Sequence, residues 1–198
     1  MSKRTEQKLQ SKELILRTAY EEFSNNGIVQ TSTLQIAKAC KVSHGSIFTH
    51  FPCRDDLVIA VIDIFGRRLA EAMNKSMLRC NSLLELLQSH VAVLQEYEKF
   101  YTFLVIEAPL LSNTIRNAVF YIQSGIATFL QKALQQEVDS GRVKPVNFPL
   151  LLNTWLGLLN YYLTNREKFT NNASVLKEHG EDLIAFFINN FIIYIYLV

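Results

Sequence analysis

ILRTAYEEFSNNGIVQTSTLQIAKACKVSHGSIFTHFPCRDDL, residues 15–57, is the stretch on which the reading of this chain turns. Leu14, Ile15, Thr18, Ala19 and Phe23 recur at the spacing of one helical face, which predicts a helix from about Ser11 to Asn26. Asn25-Asn26-Gly27 ends it, because glycine is free to take the left-handed conformation common just past a helix. Ser32 and Gln35 stand in the S-x-x-Q relation of a capping box. A second helix therefore starts there and runs to about Cys40, burying Ile36, Ala37 and Cys40. Lys41-Val42-Ser43 is a short turn. Ser43 caps a third helix, His44 to His50, and Pro52 stops it by driving the preceding residue out of helical geometry.

Two short helices joined by such a turn and braced by a helix before them make a helix-turn-helix. Ala37 is small enough to let the two approach, Val42 plugs the turn, and Ile47 and Phe51 bury one face of the third helix. The opposite face carries His44, Gly45, Ser46, Thr49 and His50. These residues are small or polar, as an approach to base edges in a major groove requires. Charge agrees in sign. Residues 1–79 hold twelve Lys/Arg against eight Asp/Glu, a balance of +4, whereas residues 80–198 hold eight against ten, a balance of −2.

The remainder reads as helix almost throughout. A fourth helix from about Arg54 carries Leu57, Val58, Val61, Ile62, Phe65 and Leu69 and reaches toward Leu78. Ser82 and Glu85 open a fifth. Others cover Tyr101 to Ala108, Ser112 to Ser140, Asn147 to Phe169, and Ser174 to about Tyr196. The expected fold is all-α with about nine helices: a head over residues 1–58 and a helical bundle over residues 59–198 for ligand binding and dimerisation. Residues 1–12 are polar and charged, unlike a signal peptide. The apolar stretch from Leu183 to Val198 is broken by Asn189 and Asn190 and is short of the ~20 residues a span needs. No membrane association is expected. Cys40, Cys53 and Cys80 are odd in number and form no CxxC, which suits a reducing cytoplasm.

The spaced run Ile15, Ala19, Phe23, Gly27, Thr31-Ser32, Ile36-Ala37, Val42-Ser43, Gly45, Ile47-Phe48, His50-Phe51 and Leu57 resembles the head of TetR-family transcriptional regulators over about residues 11–60. The resemblance implies double-stranded operator DNA as partner. It implies that Ser32 and Thr33 hold a phosphate, that His44, Gly45, Ser46 and Thr49 face bases, and that His50 meets backbone or base. Arg54 stands where the family has a phosphate-binding lysine. Lys3 and Arg4 are candidates for arm contacts. Three positions depart from the family pattern. Phe48 replaces a tyrosine and loses its hydroxyl, Lys41 replaces a turn glycine, and Cys53 replaces a capping serine.

The bundle carries no motif of its own. It holds 18 of the 22 aromatic residues, and the resemblance implies that some of them line an apolar pocket for a small-molecule effector between the helices. Phe103, Glu107, Tyr121 and Trp155 are the candidate ligand-binding residues, Glu107 because it is a lone acid in an apolar run. Leu156, Leu159, Leu163, Leu183, Phe186, Phe187 and Phe191 offer more apolar surface than one bundle flank hides, and they are the candidate interface of a two-fold homodimer. The chain has no HExxH, no metal-ligand spacing, no glycine-rich phosphate loop and no GxSxG, so neither enzyme activity nor a metal or cofactor is expected. The expected function is a ligand-responsive repressor on an inverted repeat. The alternative is a weak DNA binder that acts through a protein partner.

Overall fold

A computed structural model describes residues 3–79, 82–171 and 174–192. Cys80, the last part of the expected ninth helix and the end of the Leu183–Val198 stretch lie outside those residues. Among the described residues there are nine α-helices and no strand. They are α1 (Lys3–Asn26), α2 (Thr33–Cys40), α3 (His44–His50), α4 (Arg54–Arg79), α5 (Leu83–Glu96), α6 (Glu98–Glu107), α7 (Asn113–Asp139), α8 (Phe148–Thr164) and α9 (Val175–Phe191). Single 3-10 turns cover Ala108–Leu110 and Arg166–Lys168. Three differences from the sequence reading concern ends, the smallest being that α6 begins at Glu98 and not at Tyr101. Helix α1 begins eight residues before Ser11, in the polar segment, and α8 stops at Thr164 instead of reaching Phe169. No described helix is long and apolar enough to cross a membrane.

The chain forms two compact units. The first comprises residues 1–65 and 99–120, the second residues 66–98 and 121–198. The division into units falls further along α4 than residue 58, between Phe65 and Gly66, and the first unit includes a second segment, residues 99–120, that the sequence reading had given to the bundle. Packing explains the shift. Leu57, Val58, Val61, Ile62 and Phe65 recur along one stripe of α4 and are all buried. Phe65 packs against Phe100 and Tyr101 of α6 at ring-centroid distances of 6.3 and 5.7 Å, and Phe100 meets Tyr20 of α1 at 5.6 Å. Ile15, Ala19 and Phe23 of α1, Ile36 and Ala37 of α2, and Ile47 of α3 complete this core.

The second unit is built on α5, α8 and α9, with the later parts of α4 and α7. Its core includes Leu86, Leu87, Leu94, Ala133, Leu159, Leu163, Leu176, Ile184 and Phe187. Trp155 is fully buried at its centre. Its ring lies 5.0 Å from Phe187, and its indole N–H donates to His90 Nδ1 at 3.0 Å. Helices α5 and α9 pass so closely that a Cβ on Gly180 would sit 2.7 Å from Val91 Cγ1.

Buried acids close helix ends here. Glu98 accepts from the backbone N–H of Val175 (2.8 Å) and Leu176 (3.2 Å) and from the Ser174 hydroxyl (2.6 Å), fixing the start of α9. Glu137 accepts from Leu83 N–H at the start of α5. The first four amides of a helix have no partner within it, and a carboxylate is favoured there by the helix dipole.

Candidate nucleic-acid interface

The helix-turn-helix is fixed by its caps. Ser32 Oγ accepts from Gln35 N–H at 3.2 Å and Gln35 Oε1 accepts from Ser32 N–H at 2.7 Å, the full reciprocal capping box. Helix α2 ends at Lys41, with φ +58° and ψ +38°, and the amides of Lys41 and Val42 return to the carbonyls of Lys38 and Ala37. Lys41 is thus a non-glycine residue in the left-handed region, where a side chain costs about 1–2 kcal/mol. Ser43 then caps α3, accepting from Ser46 N–H at 3.2 Å.

These constraints set α3 with Ile47 buried and His44, Gly45 and Thr49 exposed. Thr33 at the start of α2 reaches across, its hydroxyl 2.9 Å from His44 Nε2, so the candidate phosphate contact and the candidate base contact are neighbours. Ser46 is half-buried and shares a 2.7 Å hydrogen bond with Ser43. The Thr49 hydroxyl donates to Gly45 O within the helix. A Cβ on Gly45 would meet nothing within 4 Å, which leaves the surface there open. Phe48 is exposed and stands edge-on to the His44 ring at 5.0 Å.

Two expected DNA contacts are engaged elsewhere. His50 is half-buried, and its Nε2 lies 3.2 Å from Ser11 Oγ of α1. Burial, with Lys8 and Lys12 close by, lowers its pKa below the ordinary histidine value. Arg54 turns inward: its guanidinium donates to the carbonyls of Ile28 and Thr31 in the α1–α2 connection, which a phosphate contact would have to replace. Lys8 and Lys12, on exposed positions one turn apart, are further candidates that the sequence reading passed over. Their i, i+4 spacing in the polar leader was the available signal.

The four candidate ligand-binding residues divide between the two units. Phe103 and Glu107 belong to the first unit, Tyr121 and Trp155 to the second. Glu107 is buried, and its Oε2 accepts from the amides of Ile28 (2.7 Å) and Val29 (2.9 Å). Tyr121 is exposed and Trp155 is committed to His90. The interface candidates also divide. Leu156, Leu159, Leu163, Leu183 and Phe187 are buried inside the second unit and offer no surface, because the inward faces of α8 and α9 consume them. Phe186 and Phe191 of α9 are exposed, as are Leu150 and Tyr161 of α8.

Residues 15–61 match the family model described as bacterial regulatory proteins, tetR family. Over those residues the head is similar to that of TetR-family regulators. An HTH-type transcriptional repressor of Mycobacterium tuberculosis is 40% identical over 60 residues, which is 30% of this chain and 32% of that protein. The match thus spans about a third of that relative's length. The likeness in fold runs beyond the head, over most of the chain. A TetR-family regulator, PfmR, from Thermus thermophilus superposes with a TM-score of 0.74 at 18% identity, over 88% of this chain and 97% of that one. AibR, solved in complex with isovaleryl coenzyme A and operator DNA, superposes with a TM-score of 0.69 at 17% identity, over 89% and 97%.

Proposed function

We propose that this chain is a cytoplasmic, ligand-responsive transcriptional repressor that binds double-stranded operator DNA as a homodimer. The observation that carries the reading is the face made by α3 with the start of α2. His44, Gly45 and Thr49 are exposed around an open glycine, Thr33 is hydrogen-bonded to His44, and the TetR-like caps hold both helices. A face of short polar groups beside a helix N-terminus suits base edges and a flanking phosphate. Lys8 and Lys12 of α1 supply further positive charge for the DNA backbone.

Gly45→Ala separates DNA reading from stability. Nothing lies within 4 Å of the added methyl, so helix propensity is expected to raise stability by about 0.5–1 kcal/mol. On DNA the same methyl stands between α3 and the groove, and affinity for a selected duplex is expected to fall at least ten-fold. Denaturant unfolding and fluorescence anisotropy check the two signs. Affinity that rises or stays level with stability would remove α3 from the groove.

For the dimer, the exposed apolar residues of α8 and α9, Leu150, Tyr161, Phe186 and Phe191, replace the buried leucines as the interface. Gly157 of α8 is exposed among them and adds no bulk to a paired surface. Sedimentation at micromolar concentration is expected to give a dimer, and Phe186→Glu with Tyr161→Glu a monomer. A wild-type monomer would refute pairing. A two-fold dimer asks for half-sites about one DNA turn, or a multiple, apart.

The small-molecule effector acts on the second unit in this reading. The chain passes from one unit to the other within α4, between Phe65 and Gly66, and this continuous helix gives the effector a covalent path to the head. A coupling of about 1–3 kcal/mol is enough to change operator affinity 5- to 150-fold. AibR, bound to both an acyl coenzyme A and operator DNA, supports a regulator of this fold that answers to a ligand.

A further inference from the structure

The α1–α2 connection, residues 27–32, is held from two sides by residues remote in sequence. Ile28 and Val29 give their backbone N–H groups to Glu107 Oε2, at 2.7 and 2.9 Å, from the last residue of α6. The carbonyls of Ile28 and Thr31 take Arg54, the first residue of α4. Thr31 closes the connection on itself, its hydroxyl donating to Gly27 O at 2.6 Å. Gly27 has φ +84°, and a Cβ there would stand 2.5 Å from Glu107 Oε1, so the acid lies directly against the bare backbone.

This is an expensive place for a carboxylate. It is buried, and it stands at the C-terminal end of α6, where the helix dipole disfavours negative charge. Hydrogen bonds from the two amides offset that cost. The connection they anchor ends in Ser32, which caps α2. Next comes Thr33, which bonds His44 of α3. Glu107 therefore ties the connection that leads into the reading face to the end of α6.

Resting on the DNA-binding reading, we propose that Glu107 is a positioning residue for sequence reading: it sets α2 and α3 by holding the Ile28 and Val29 amides. Glu107 touches no DNA.

The test uses the full chain. A duplex is enriched from a random double-stranded pool by the wild-type protein, and a scrambled duplex serves as control. Selectivity is the ratio of the two Kd values, read where variants and wild type have the same circular dichroism. Glu107→Ala is expected to lower selectivity at least ten-fold, to leave the scrambled-duplex Kd unchanged, and to speed amide hydrogen exchange at Ile28 and Val29. Glu107→Gln keeps an acceptor at the same reach without the charge, and an intermediate loss of about three-fold is expected. A role in stability alone would leave selectivity intact while the protein is folded. If Glu107→Ala does not fold, Glu107→Gln is read by itself. Unchanged selectivity in a folded variant overturns the positioning role and leaves DNA binding standing. Failure of the wild type to enrich any duplex overturns the DNA-binding reading, and the positioning role with it.

Discussion

Trp155→Ala is expected to destabilise the second unit by about 3–5 kcal/mol, enough to unfold a marginal protein. Trp155 is fully buried, and its ring contacts Phe187 of α9 and His90 of α5. Truncation empties a cavity between three helices and leaves His90 Nδ1 without its donor. Trp155→Phe divides the two effects. It fills most of the volume but lacks the N–H, and a loss of about 2 kcal/mol is expected. Denaturant titration followed by circular dichroism gives both values. The aromatic wall of an open effector pocket would behave differently. Its removal would cost well under 1 kcal/mol and show itself in effector affinity, and that result would restore Trp155 to the pocket.

The head was legible because its signals are local. A capping box spans four residues, Lys41 takes the left-handed conformation that the turn requires, and Pro52 stops α3 where it stands. What joined the head from afar was not legible. Glu107 reads as an isolated acid in the apolar run from Phe100 to Ile106, which fits a ligand contact as well as a structural one. Burial only demands that such an acid find donors, and backbone amides 78 and 79 residues away carry no side-chain signature. The first compact unit runs past residue 58 for a related reason: the stripe of α4 continues to Phe65 without a break, and its partners Phe100 and Tyr101 come from beyond α5. Helices α8 and α9 posed a third problem. Both are apolar on more than one face, so composition predicted a buried surface without saying which leucines face inward. The fold assigns Leu156, Leu159, Leu163, Leu183 and Phe187 to the chain's own core and leaves Phe186 and Phe191 outside.

Acid is expected to weaken the protein through His90 well before ordinary carboxylates titrate. Its ring is completely buried, and burial lowers its pKa from 6.5 to about 4. The hydrogen bond from Trp155 acts in the same sense. Indole nitrogen only donates, so Nδ1 must accept and the proton of the neutral ring sits on Nε2, which has no partner among the described residues. Charging the ring would place a second proton on Nδ1, against the indole N–H. The folded state therefore holds His90 neutral, while the unfolded chain takes up its proton near pH 6.5. A pKa lower in the folded state means that stability is complete above pH 6.5 and is lost as pH falls toward 4, with a slope of up to about 1.4 kcal/mol per pH unit. The loss from this one group amounts to about 3 kcal/mol at pH 4. Other groups titrate over the same range, so the measurement is a difference. His90→Gln keeps an acceptor for the indole and has nothing to titrate. The stability of the wild type relative to His90→Gln is expected to fall by about 3 kcal/mol between pH 7 and pH 4, by denaturant unfolding followed through the emission of Trp155, the chain's single tryptophan. A difference that stays constant across that range would mean that the buried ring does not govern the acid response.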